Sequence, residues 1–486
     1  MSENRALQEK VVSATKWSAI TEIAAKLVSP ITNMILARVL VPEAFGVVAT
    51  ITMIISFADM FTDAGFQKYL VQYEFEDYNE QEKSINVAFW TNLIISLFIW
   101  GVICVLKDRI AIIVGNPGLG IVIAVACVQL PITSFSSIQM AVFKRKFDFK
   151  TLFFVRIVSI LIPFFITIPL AFNGFSYWAL IIGTIVGQLS NAIILTIKSN
   201  WKPRLFYDFK VLRKMFSFSI WSLGEAISIW LSSWIDILII GSVLDEYHLG
   251  LYRTSITTVN VIFSLVTSTV TPILFSTLSR LQSDNEKFKS VFYKNQKLTA
   301  YLIFPMGVGM YLFSDTVTSI TLGNQWSEAS DIIGIWAITT AIKIIFSDFN
   351  SECYRAKGRP RLSLIVQLLH IVVLIPACLI SVSFGFKTLV YTRALIRGQL
   401  MLVSLLVMQF VINIPIREMI RQVIKPAVFT IIMAVIAILL KVFFYGIVGE
   451  FISIVSCIVI YILLIIMFAK EDLKSFNKFI PINIFK

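Results

Sequence analysis

Charged residues are scarce in this chain: Asp, Glu, Lys and Arg make up 15% of its 486 residues, where a soluble domain carries about a quarter. That scarcity excludes an ordinary soluble globular fold. Cysteine is also sparse. The five cysteines include no CxxC pair, and Cys104, Cys127, Cys353 and Cys457 lie within or beside apolar stretches, as small buried side chains do rather than a disulfide framework or thiolate cluster. Only two histidines occur, His248 and His370, too few for a zinc site without a matching carboxylate or thiol set; no metal is expected. There is no Walker loop, no HExxH and no polar stretch long enough for a catalytic domain, so neither an enzyme nor a cofactor is expected. Short segments of alternating polarity, the mark of a membrane barrel, do not recur. The first sixteen residues, MSENRALQEKVVSATK, lack the apolar core and cleavage site of a secretory signal, and the first span is expected to remain in the mature protein.

What is present is long apolar sequence: 57% hydrophobic residues, 40 of them Phe, and a mean hydropathy of +0.83. A helix of about 20 apolar residues crosses a hydrocarbon core of about 30 Å and satisfies its own backbone groups there. Fourteen such stretches are expected, near 17–37, 44–67, 85–106, 118–141, 151–171, 175–197, 215–240, 248–275, 298–321, 328–353, 362–383, 388–412, 427–445 and 451–469. The first and seventh are the least hydrophobic. The fold class is therefore all-α, a polytopic helical membrane protein.

The positive residues fix an orientation. Of 42 Lys and Arg, 31 fall on the N-terminal segment, the even-numbered connections and the C-terminal tail, while the opposite side holds five: Arg38, Lys107, Arg109, Lys387 and Lys441. By the positive-inside rule both termini are cytoplasmic. The net charge of +13 then faces anionic headgroups, and nucleic acid is not expected as a partner.

A weak internal repeat recurs at a spacing of about 204 residues: ILARVLVPEAFGVVATI aligns with ILIIGSVLDEYHLGLYRTSI, placing Phe45-Gly46 opposite Leu249-Gly250. Six spans separate the two copies, so they share an orientation, as parallel repeats about an axis along the membrane normal do. The expected organisation is a six-helix lobe at 1–200, a second at 201–415, and two additional helices with a cytoplasmic tail at 416–486.

Six basic residues remain inside span sequence: Lys26, Arg156, Arg253, Lys343, Arg393 and Arg397. Charge at membrane depth is costly and faces a bundle interior or a hydrated cavity. Arg393 and Arg397 are four apart and share a helix face, so their repulsion calls for an anion or nearby carboxylates. Together the six suggest a cationic path for an anionic solute. The competing expectation is that they snorkel to headgroups or lock helices together by pairing with Glu22, Glu225 or Asp236. Asp59 and Glu225 are candidates for coupling to a proton or sodium gradient, since a desolvated carboxylate can carry a proton. Asp63 and Glu352 fit interface placement better. Pro163, Pro272, Pro305 and Pro376 interrupt spans, and Trp221, Trp230 and Trp234 serve either as interface anchors or as cavity lining.

Ala37, Arg38, Leu40, Pro42, Phe45 and Gly46 follow an A-R-x-L-x-P-x-x-F-G pattern, supported by Asp63-Ala64-Gly65-Phe66 and Lys357-Gly358-Arg359-Pro360. In these stretches the chain resembles the polysaccharide exporters and lipid-linked oligosaccharide flippases of the multidrug/oligosaccharidyl-lipid/polysaccharide superfamily. The resemblance implies a fourteen-helix, two-lobed fold that opens alternately to each side of a bacterial cytoplasmic membrane. It also implies flipping of an undecaprenyl-diphosphate-linked repeat unit for O-antigen, capsule, exopolysaccharide or teichuronic acid, alongside polymerase and glycosyltransferase partners. A proton- or sodium-coupled multidrug antiporter is the alternative within the superfamily. The family supplies no binding motif for the buried charges, whose roles rest on their placement alone.

Overall fold

The computed structural model describes residues 2–63, 66–443, 446–470 and 472, and the side chains of these except at 2–15, 18, 19, 22, 23, 27, 63, 68, 217–225 and 447. Asp63, Ala64, Gly65, Glu22, Trp221 and Glu225, all singled out above, thus fall outside the described side chains. The chain divides into two compact units, Met1–Arg253 and Thr254–Lys486. Their boundary falls inside a helix rather than in a connection.

The first unit is built from α1 (Ser2–Val39), α2 (Pro42–Asp63), α3 (Phe66–Gln72), α4 (Tyr78–Ile113), α5 (Gly120–Ala126), α6 (Gln129–Arg145), α7 (Phe149–Phe172), α8 (Ser176–Lys198), α9 (Phe209–Val243) and the first two turns of α10 (Glu246–Arg280). The second continues along α10 to α11 (Asn285–Leu312), α12 (Ser314–Thr321), α13 (Ala329–Lys343), α14 (Phe349–Ala356), α15 (Arg361–Val382), α16 (Phe386–Val407), α17 (Ile416–Phe443) and α18 (Gly446–Phe468). Single π-helical turns follow α13 at Ile344–Asp348 and α16 at Met408–Ile412.

Among the described residues twelve helices are long and apolar enough to cross a membrane, or thirteen if α11 and α12 count as one span. These coincide with thirteen of the fourteen expected stretches. The remaining one, 17–37, lies inside α1, which is helical throughout but is not among the twelve. Surface residues such as Phe165, Phe172, Leu395, Phe410 and Phe443 are exposed while Asn92, Gln139, Gln296 and Asn350 are buried, the polarity that lipid imposes on a bundle.

Two spans differ from a simple rod. The ninth was expected at 298–321; instead α11 begins at Asn285, where Asp284 accepts from the Lys287 backbone N–H as an N-cap, and it turns by 87° into α12. Both the ammonium and the backbone N–H of Lys287 hold the Asp284 carboxyl below the usual range. The turn falls at Phe313, whose φ of −114° and ψ of 31° leave the helical region. The tenth, 328–353, is interrupted by the π turn at Ile344–Asp348, which inserts one residue's worth of rotation immediately after Lys343.

The basic connection of the first unit between α8 and α9 is pinned rather than loose. Trp90 Nε1 donates to the Arg204 carbonyl at 2.7 Å, the Arg204 N–H donates to Asn86 Oδ1 at 2.8 Å, and Trp201 packs with Phe66, Tyr69 and Phe89 in one apolar cluster. Arg145 Nη1 donates to the carbonyls of Leu70 at 2.9 Å and Tyr73 at 2.7 Å, satisfying the open end of α3, with its guanidinium 4.6 Å from the Phe75 ring centroid. Hydrogen bonds to a charged group each contribute about 1.5–3 kcal/mol. Arg145→Ala is expected to lower the thermal midpoint of the purified protein in detergent by several degrees, with Arg145→Lys intermediate; an unchanged midpoint would show that α3 holds without it.

The two copies of the repeat meet. Pro42 and Glu246 each open a helix, and Gly46 and Gly250 each stand four residues later. A Cβ on Gly46 would lie 1.9 Å from the Glu246 carbonyl oxygen, and one on Gly250 would lie 1.9 Å from the Pro42 carbonyl oxygen. The contact is reciprocal: residue 46 touches the equivalent of 42, and 250 touches 42 itself. Isologous pairing of this kind marks a local two-fold axis through the crossing.

In the second unit α17 and α18 lean on α11: Tyr461 Oη donates to the Tyr301 carbonyl at 2.9 Å, and Phe429, Met433 and Cys457 share a cluster with Tyr301. Asp472, beyond α18, accepts from Lys297 Nζ at 2.7 Å and Tyr301 Oη at 3.0 Å.

A buried cationic cluster as the candidate functional site

α13 and α16 pack side by side in the second unit. On α13, Trp336, Thr339, Thr340 and Lys343 lie at i, i+3, i+4 and i+7, one face of a helix. On α16, Arg393 and Arg397 form the facing stripe. Both arginines are 7% exposed and Trp336 is 2% exposed. Guanidinium groups stay charged at any physiological pH, so two positive charges are held inside the bundle.

Trp336 eases their repulsion. The Arg397 guanidinium carbon lies 3.5 Å from the ring centroid and that of Arg393 lies 5.7 Å from it. The negative face of an indole attracts a cation by about 2 kcal/mol where water is excluded. Arg397 Nη1 also donates to Thr340 Oγ1 at 2.7 Å, with Thr339 Oγ1 at 3.4 Å. One further turn along, Lys343 Nζ pairs with Asp348 at 2.6 Å, a carboxylate that the π turn carries. His370 on α15 is buried, bonds Gln399 Oε1 through Nδ1 at 3.0 Å, and stands within electrostatic reach of Arg393, Lys343 and Arg397.

The structure therefore brings together three of the six sequence candidates, Lys343, Arg393 and Arg397. The other three lie in the first unit. Arg253 places its guanidinium carbon 4.3 Å from the Trp234 centroid. It also stands within electrostatic reach of Asp236, which is 3% exposed and accepts from Tyr252 Oη at 2.7 Å. Arg156 is exposed on α7, and Lys26 is half-buried on α1. Asp59 is half-buried on α2, close enough to Cys127 to interact electrostatically. Trp230 Nε1 donates to Ser56 Oγ at 3.0 Å and packs on Phe57, so this tryptophan serves helix packing. Glu352, 7% exposed, pairs with Arg355 at 3.1 Å.

Sequence reasoning missed Trp336, Thr340 and His370. The signal for the first two was present in the polar and aromatic spacing 336, 339, 340, 343, which matches the 393, 397 spacing on another span. Nothing local marked His370, because its role follows from α15 lying beside α16.

Together, the helices, the lipid-type surface and the sequestered positive charges define a polytopic α-helical membrane protein. A model of the polysaccharide biosynthesis protein family matches residues 35–331, more than half of the chain, and the chain belongs to that family. The match includes the stretch from Ala37 to Gly46 that carried the resemblance in the sequence. Among curated relatives, the succinoglycan biosynthesis transport protein ExoT of Rhizobium meliloti is 23% identical over 333 residues, 68% of this chain and 67% of its own. The lipopolysaccharide biosynthesis protein WzxC of Escherichia coli is 21% identical over 381 residues, 77% of this chain and 76% of its own. Of solved structures, the lipid II flippase MurJ in an inward closed conformation superposes with a TM-score of 0.77 at 13% identity, over 93% of this chain and 98% of that one; the two share a fold.

Proposed function

We propose that this chain flips an undecaprenyl-diphosphate-linked oligosaccharide repeat unit across a bacterial cytoplasmic membrane for surface polysaccharide assembly, by alternating access, with both termini cytoplasmic. The observation that carries the reading is a pair of buried arginines, Arg393 and Arg397, in a member of a polysaccharide biosynthesis family. A diphosphate accepts several charge-assisted hydrogen bonds, and guanidinium groups match its geometry bidentately. Lys343 sits on the same seam, and Lys26, Arg156 and Arg253 in the first unit are further candidate substrate-contacting cations within this reading. The sugar stays hydrated while the prenyl tail remains in lipid, which avoids moving about 0.8 kcal/mol of apolar transfer energy per CH₂ into water. The division into lobes at 1–200 and 201–415, with additional helices at 416–486, belongs to this reading. So do energy coupling through Asp59 or Glu225 with protons or sodium, and cooperation with a polymerase and glycosyltransferases.

Deletion of the gene in its host is expected to leave lipid-linked oligosaccharide accumulating in the inner leaflet, with loss of the corresponding surface glycan. The purified protein in vesicles is expected to flip the same lipid. Normal surface glycan in the deletion strain, together with reduced resistance to several cationic drugs, would replace this reading with drug antiport.

A further inference from the structure

At the opposite end of the α13/α16 seam from Lys343 the second unit contains a cavity of about 270 Å³. Its floor is apolar and closed, formed by Ile332 and Val390, 4% and 3% exposed. Its walls carry Phe386 and Tyr391, and its rim carries Glu328, Asp331 and Lys387. Lys387 Nζ reaches across the seam to Asp331 at 3.8 Å. Trp336 follows Ile332 by four residues and Arg393 follows Val390 by three, so the cationic cluster begins about one helical turn, roughly 5 Å, beneath the floor. Lys387 is one of the five basic residues that the charge layout assigns to the outer side.

The lining selects among ligand chemistries. Two carboxylates against one ammonium leave the rim net negative, which repels a diphosphate and a hexuronate alike. Carboxylates accept and the ammonium donates hydrogen bonds, as adjacent hydroxyls require. An aromatic wall over an apolar floor offers a flat surface to the C–H face of a sugar ring. The volume lies just under the roughly 300 Å³ at which ordinary ligand pockets begin, which suits one ring and not a chain.

We propose that this cavity is a monosaccharide subsite that holds one uncharged or amino-bearing sugar ring of the glycan at the outer end of the α13/α16 seam. The proposal rests on the flippase reading and deepens it: the anionic and the neutral ends of one substrate would each have a matching site on the same pair of helices.

The test is saturation-transfer NMR on the full chain in lipid nanodiscs, with the methyl glycosides of glucose, N-acetylglucosamine, glucosamine and glucuronic acid as probes. Transfer is expected to at least one of the first three. The glucuronide should give about fivefold less, the discrimination of one exposed like-charge contact. Tyr391→Ala and Asp331→Asn are expected to abolish the transfer, and Tyr391→Phe to retain it, all at an unchanged thermal midpoint. Absence of transfer to every probe, equal transfer in Tyr391→Ala, or preference for the glucuronide would each overturn the subsite. Glycoside binding through Tyr391 in a protein that flips no lipid-linked glycan would keep the subsite and overturn the flippase reading. Flipping without any glycoside binding would do the reverse.

Discussion

Arg397→Ala is expected to reduce glycan flipping per folded molecule by about tenfold or more, measured in vesicles and normalised to correctly folded protein. The basis is the geometry around the guanidinium: 3.5 Å to the Trp336 centroid and 2.7 Å to Thr340 Oγ1. That geometry holds the guanidinium in place, and losing one charge-assisted hydrogen bond to the substrate diphosphate, about 1.5–3 kcal/mol, is about a factor of ten or more in rate. Arg397→Lys keeps the charge but loses the planar stack and the donor fork, so it should recover only part of the rate. A purely structural role makes a different prediction. The Ala variant would then lose abundance and thermal stability together with activity, because burying the remaining partners without the cation is what costs. Undiminished flipping by the Ala variant would remove Arg397 from the substrate path. Trp336→Phe supplies a second reading, since it weakens the ring's attraction while leaving the charge; it is expected to fall between wild type and Arg397→Ala.

The second large effect concerns the crossing of α2 and α10. Gly46→Ala or Gly250→Ala would drive a methyl group to within 1.9 Å of a backbone carbonyl oxygen, and neither carbonyl can swing away as a flexible side chain would. Overpacking costs about 1–3 kcal/mol, and the upper end is expected for each variant, read as a fall in thermal midpoint in detergent. Both clashes fill one gap. Once the first methyl has forced the helices apart, the second meets less resistance, so the double variant should cost less than the sum of the singles by about 1 kcal/mol or more. Strict additivity would mean that the two glycines do not share a crossing. Small residues that let backbones touch are the usual device for close helix association in lipid, and here the device lies on the repeat itself.

How much of this was legible beforehand varies by residue. Thirteen of the fourteen expected spans coincide with helices that pass as spanning, because apolar length and the basic connections are local properties of sequence. Gly46 and Gly250 were visible as equivalent positions, yet nothing in the letters said that they touch. Arg393 and Arg397 were recognisable as buried and on one face through their spacing of four. Their partner was not, since Trp336 lies nearly sixty residues away on another helix. Arg253 was open to either a cavity or a locking role, and its placement over Trp234 and within electrostatic reach of Asp236 depends on α9 and α10 lying together, which no local pattern gave. The bend at Phe313 was hidden for a related reason: the stretch 298–321 is apolar on average despite Ser314, Asp315 and Thr316, and hydropathy is blind to direction.

The sequence by itself thus determined that the chain is a multi-pass helical membrane protein, where most of its spans run, and which charges fall within span sequence. Each of these follows from residues adjacent along the chain and from the cost of placing polar groups in hydrocarbon. The tertiary structure alone decided which charges become neighbours. That choice depends on the rotation of each helix about its axis and on the identity of the helix beside it, both set by side-chain packing between segments distant in sequence. Trp336 beneath two arginines and Gly46 against the first turn of α10 are consequences of that packing.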